Sequence, residues 1–157
     1  HRGRETRVTS IEKDDVLKLY PPLAALQSLA AELATPKLSP EDIERLRELN
    51  AEFGQLLARK HAFEAMELDE QFHHVIVEVG DNPYVSSFIS TLQLHIRRLK
   101  YVFLQRPAET DHESVAEHDA IIQAFERRDE KAAASFMKKN WLRPMRVLYR
   151  YLTGDEP

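Results

Sequence analysis

Cysteine is absent from the chain. Disulfide cross-links and thiolate metal sites are thereby excluded, and any bound ion must be held by nitrogen and oxygen ligands. Glycine is scarce, at 4 of 157 residues, a balance that suits helices better than a turn-rich β fold. No apolar run reaches the roughly 18 to 20 residues of a membrane-spanning helix, and the N-terminus lacks the charged-then-apolar layout of a signal peptide. The expected compartment is therefore the cytoplasm, with no membrane partner. Charge of one sign is not in excess either: the formal net charge is -4, with basic residues interleaved among acidic ones. Such a surface has no field to draw in nucleic acid, so this segment alone is not expected to grip DNA.

What is present is a hydrophobic share of 43% against a charged share of 31%, the make-up of soluble amphipathic helices in one ordinary domain. Residues 1–10 read as a linker or the edge of a missing neighbour, because HRGRETRVT lacks helical periodicity; residues 11–157 read as the helical domain. From Ile11 to Ala34 the pattern is helical, but Pro21 and Pro22 predict a short helix followed by a longer one from about Pro22. Leu23, Leu26, Ala30 and Leu33 form its expected buried stripe. Ser39-Pro40-Glu41-Asp42 starts a second long helix, with Ser39 as N-cap, that runs to about His61. A third spans about Ala62 to Val79 and is stopped by Gly80 in the left-handed position. A fourth runs from Pro83 to about Leu104, with Val85, Phe88, Leu92, Ile96, Leu99 and Phe103 as its apolar face. Thr110 and Glu113 have capping-box spacing for a fifth, reaching about Arg128. A sixth runs from about Glu130 to Leu152. Strand-like alternation is absent, so the expected fold is all-α, an antiparallel bundle of about six to seven helices.

Chemistry concentrates at three places. Asp69 and His73 are four residues apart, one turn along one helix face, bordering the stripe of Leu68, Phe72, Ile76 and Val79. His118 lies three residues from both Val115 and Ile121 and faces inward. A turn centred on Asp129 lies 11 residues from both His118 and Asn140, which sets those two at one height in an antiparallel hairpin. Asp69, His73, His118 and Asn140 are thus candidate ligands of one divalent ion. The alternative is a hydrogen-bonded core histidine and a surface Asp-His pair contributing only about 0.2–0.5 kcal/mol.

The segments DEQFH at 69–73, GDNP at 80–83 and EHDAIIQAFERRDEKAA at 117–133 resemble the FCD domain, the C-terminal effector-binding domain of GntR-type transcription regulators of the FadR subfamily. RGRETRVTSI at 2–11 resembles the end of a winged-helix DNA-binding domain with its linker. The resemblance implies a metal held by Asp69, His73 and His118, with zinc, nickel or manganese as the ion. The family's last histidine ligand falls at Asn140, whose amide oxygen suits zinc or nickel less well than imidazole and shifts preference toward a harder ion. The first long helix, LKLYPPLAALQSLAA, lacks the arginine and glutamate that family members often carry.

The resemblance further implies a homodimer, not an enzyme, that senses a small organic or sugar acid and meets DNA only through the absent N-terminal domain. The acid's carboxylate is expected to meet the metal and its remaining charge to meet Arg98, which lies on the fourth helix three residues beyond His95 and two beyond Ile96, with Arg97 as the fallback. Two rivals stand. Glu70-x-x-His73 resembles half of a di-iron carboxylate site and His118-Asp119 the dipeptide of helical phosphohydrolases, so a metalloenzyme is one. A metal-free helical interaction module is the other.

Overall fold

The computed structural model describes residues 3–104 and 112–154. Six helices run through them, and no strand occurs among the described residues. They are α1 (Gly3–Ala34), α2 (Pro40–Ala58), α3 (Ala62–Gly80), α4 (Pro83–Leu104), α5 (Glu113–Glu126) and α6 (Glu130–Thr153). The all-α bundle expected from periodicity is what the chain forms.

Several local expectations are corrected. α1 is one continuous helix that contains Pro21 and Pro22 and reaches back through residues 3–10, read above as aperiodic. Each proline withholds a hydrogen bond from the preceding turn, but both lie exposed while Tyr20, Leu23 and Ala24 next to them are buried. On the outer side of a helix the freed carbonyls can turn to water, so the break is not forced. α2 begins as expected: Ser39 Oγ accepts from the Asp42 N–H at 3.1 Å, and the Asp42 carboxylate accepts from the Ser39 N–H at 2.9 Å. α3 keeps Gly80 inside the helix, and Asp81 takes the left-handed position at φ 52°. Gly80 serves packing instead, since a Cβ there would lie 3.2 Å from the Ala30 carbonyl oxygen of α1. α5 starts at Glu113 itself, with His112 at the cap position and no side-chain cap, so Glu113 is not the third residue of a capping box. Thr110 lies outside the described residues. On α4 the buried positions are Val85, Ile89, Ile96 and Leu99, whereas Phe88 is 60% exposed; the side chain of Phe103 lies outside the described residues.

Packing closes a ring: α1 against α6, α6 against α5, α5 against α2, α2 against α3, and α3 back against α1, with α4 laid over α1 and α3. α5 and α6 are antiparallel, as Arg143 reaches Ser114 and Asn140 reaches Glu117. α1 and α6 are antiparallel too, with Tyr20 near Trp141 and Ser28 bonded to Ala134. Leu23, Leu46, Ile76 and Ile121 are fully buried inside the ring, each contributing about 1.5–3 kcal/mol by leaving water. The same enclosure takes in polar side chains: Gln27, Asn50, His73, His118 and Asn140 are buried.

Candidate metal centre

The α3 helix carries Phe72, His73, Ile76 and Val77 on its buried face, and Asp69 sits one turn before His73. His73 Nε2 lies 3.5 Å from Asp69 Oδ1. His118 enters from α5 and brings its Nε2 to 3.1 Å from the same oxygen. One ligand atom from each of the three residues lies within 4.8 Å of the others. Aromatic rings fix the imidazoles: Phe72 stacks on His118 with centroids 4.0 Å apart, and Trp141 lies 4.8 Å from His73. His74 points outward, 3.1 Å from Glu78, as its spacing predicts.

Burial works against the charged carboxylate of Asp69, but the His73 imidazole and the Lys100 ammonium outweigh it and hold Asp69 well below the usual carboxylate range. Lys100 Nζ is 3.5 Å from Asp69 Oδ2 and 5.0 Å from the Trp141 ring centroid. Burial would lower the Lys100 pKa, but Asp69 raises it overall, so the amine stays charged. Burial pushes His73 below its usual value against the pull of Asp69, which keeps its ring neutral and its lone pair available. Burial likewise raises the Tyr20 phenol, which Lys100 opposes.

Buried nitrogens without a hydrogen-bond partner in the protein include His73 Nδ1, His118 Nε2 and Trp141 Nε1, and both amide atoms of Gln27 share that condition. A buried polar atom left unpaired costs about 1–3 kcal/mol, so a cluster of them marks a place for something else to bind. One carboxylate and two imidazoles form a donor set for a divalent first-row metal, which these residues fit.

The remaining sequence candidates are Asn140 and the three residues of α4. Asn140 is buried, and its Nδ2 donates to Glu117 Oε1 at 2.9 Å. The hairpin register thus faces Asn140 with Glu117, one residue from the expected His118, while His118 turns toward α2 and α3. Arg97 is exposed and pairs with Glu67 and Glu70 at 3.9 and 3.6 Å; Arg98 and His95 are exposed as well. The interior cation is Lys100, which the sequence reading passed over. Its signal was there, because Lys100 follows buried Leu99 and stands four residues after buried Ile96. Asn50 was missed too, a polar residue in the stripe Ile43, Leu46, Leu49, Phe53. Glu70 faces Arg97 rather than the imidazoles, so the half di-iron arrangement does not form.

No curated protein sequence matches this chain significantly. The structure is similar to that of E. coli McbR/YncC, with a TM-score of 0.80 at 16% sequence identity, covering 85% of this chain and 67% of that one. At that identity the likeness speaks for the fold alone. A model of the FCD domain matches residues 18–141, well over half of the sequence and all three residues of the cluster, and the chain belongs to the FCD domain family.

Proposed function

We propose that this chain is the effector-sensing and dimerisation domain of a GntR-type transcription regulator, and that Asp69, His73 and His118 hold a divalent ion at the heart of its effector site. The observation that carries this reading is the convergence of the three side chains inside a closed helical ring, with both imidazoles buried and turned to one carboxylate oxygen. When bound, the ion supplies a Lewis-acid anchor for a ligand carboxylate. The rest is work for this chain's own side chains. Asp69 provides the negative charge that retains a cation, neutral His73 offers a lone pair, and the hydrophobic ring excludes competing water. Lys100 supplies the positive charge for an acid's remaining oxygens, the role assigned from sequence to Arg98, Arg97 and His95. Trp141 Nε1, on the ring beside His73, supplies an unpaired hydrogen-bond donor. The ligand class is a small carboxylate, an organic or sugar acid. Zinc, nickel and manganese are the candidate ions. Asn140 is the candidate fourth ligand through its carbonyl oxygen, because its Nδ2 is already engaged by Glu117.

The role is regulatory rather than enzymatic. DNA contact belongs to a winged-helix half outside these residues, as in regulators of this type. An acid changes that half's placement only by binding one arrangement of the domains more tightly than another. A second copy of the chain covers α4, whose exposed side gathers Tyr84, Phe88, Leu94 and Tyr101, an apolar concentration of the kind that marks association surfaces.

The test is calorimetry with a panel of small mono-, di- and tricarboxylic acids and sugar acids, on metal-loaded wild type, Asp69→Ala and Lys100→Met. Asp69→Ala is expected to lose the ion and at least about tenfold in acid affinity, a typical scale for disrupting a metal site. Lys100→Met is expected to keep the ion and lose acid affinity. Equal acid affinity in wild type and Asp69→Ala would remove the metal from the account.

A further inference from the structure

Asn50 and Asp119 are used neither by the ion nor by the effector in the reading above. Asn50 is 3% exposed on α2, and its amide makes three contacts. Nδ2 donates to Asp119 Oδ1 at 2.8 Å and to the Val115 carbonyl at 3.1 Å. Oδ1 lies 2.9 Å from His118 Nδ1. A backbone carbonyl and a carboxylate oxygen both accept hydrogen bonds, so the NH2 end of the amide must face them. The oxygen end is therefore fixed toward His118, and an oxygen there can only accept. It follows that His118 carries a proton on Nδ1 and donates it to Asn50.

The consequence reaches the cluster. With Nδ1 committed to Asn50, Nε2 is the ring nitrogen that His118 turns to the cluster, 3.1 Å from Asp69 Oδ1. Two electron-rich atoms at this separation are held together by whatever lies between them, a proton or a metal ion. We infer that Asp119, Asn50 and His118 form a positioning relay that fixes the His118 tautomer, so that Nε2 is always presented as a metal ligand. The inference rests on the proposed metal site and deepens it. It also gives Asp119 a role: the His118-Asp119 dipeptide is one ligand followed by the outer anchor of the residue that orients it. Partners that orient a ligating histidine through its second nitrogen contribute substantially to metal affinity.

The experiment uses this chain with 15N-labelled histidine, in three forms: wild type, Asn50→Leu, and the exchange Asn50→Asp with Asp119→Asn. Long-range proton–nitrogen spectra read which ring nitrogen of His118 bears the proton, and zinc titration reads affinity. Wild type is expected to show the Nδ1–H tautomer with and without zinc. Asn50→Leu is expected to lose that preference and about 10–100-fold in zinc affinity. The exchange keeps an acceptor toward His118 and an amide at the outer position but loses the bond to the Val115 carbonyl, so it is expected to recover the tautomer and part of the affinity, which a merely structural contact would not require. A proton on Nε2 in zinc-loaded wild type, or wild-type zinc affinity and tautomer in Asn50→Leu, would overturn the relay. If wild type takes up no zinc, the metal reading fails by itself. The metal-free spectrum still decides the relay, which Nδ1–H upholds and Nε2–H alone refutes.

Discussion

At the scale of the residue, the centre is a problem in charge. Asp69 is a carboxylate 15% exposed between two imidazoles and an ammonium, and an unpaired charge in that setting would be costly. Lys100 resolves part of it. His73 bears on stability through pH. Its folded-state pKa lies below the ordinary 6.5, so the unfolded chain takes up the proton first. Its contribution is complete above that value and is lost as pH falls below it, by at most about 1.4 kcal/mol per pH unit for one proton. Asp69, with its depressed pKa, keeps its contribution until far more acid conditions, losing it only below the ordinary carboxylate value. The melting temperature of the metal-free chain should therefore fall between pH 7.5 and 5.5, and the rise produced by added zinc should shrink over the same interval, because metal and proton compete for the imidazoles. A flat or rising profile would mean that His73 is not held neutral.

Much of this residue-level chemistry was legible in the sequence, and the reason is helical geometry. A spacing of four puts Asp69 and His73 on one face whatever surrounds them, and the apolar neighbours of His118 turn it inward. Choosing among Arg97, Arg98 and Lys100 needed more. They lie within four residues of one another on α4, and only the seating of α4 on α1 and α3 decides which of them faces Asp69. Asn50 lay hidden for a similar reason: its stripe marks it as buried, but nothing along the chain says that α5 lies opposite.

At the scale of the element, the helix count and most boundaries followed from periodicity and caps. The errors lie where one residue type answers two demands. Glycine after a helical run suggests a left-handed terminus, yet Gly80 is retained because α1 passes too close for a side chain, with Asp81 taking the left-handed turn. The two positions should respond oppositely. Gly80→Val should cost about 1–3 kcal/mol through overpacking against Ala30, whereas Asp81→Gly should be neutral or stabilise by up to about 1 kcal/mol by relieving the left-handed conformation. Urea unfolding measures both; a stable Gly80→Val would show that the α1 and α3 contact yields easily. The proline pair of α1 carries a related lesson, since proline stops a helix only where the freed carbonyls have no alternative partner.

At the scale of the whole molecule, five helices close a ring and α4 lies outside it, turning Lys100 inward and Tyr84, Phe88 and Leu94 outward. In the function proposed above, one helix thereby links the ion site to the surface assigned to a second copy. Phe88→Glu with Leu94→Glu should convert a dimer to a monomer in sedimentation velocity while leaving zinc binding intact, because neither side chain is buried in the protomer. A dimer that survives both substitutions would move the interface to another face. Sequence periodicity could not settle this, because a face buried in the bundle and one buried in a dimer look alike along a single chain.

The proposed function stands or falls with one divalent ion shared by Asp69, His73 and His118. Anomalous diffraction at the zinc edge, from crystals of the chain grown with zinc, tests it most directly. One strong peak is expected about 2.0–2.2 Å from an Asp69 carboxylate oxygen, a His73 ring nitrogen and His118 Nε2. Zinc peaks confined to surface histidines such as His74 and His95, with none among Asp69, His73 and His118, would overturn it.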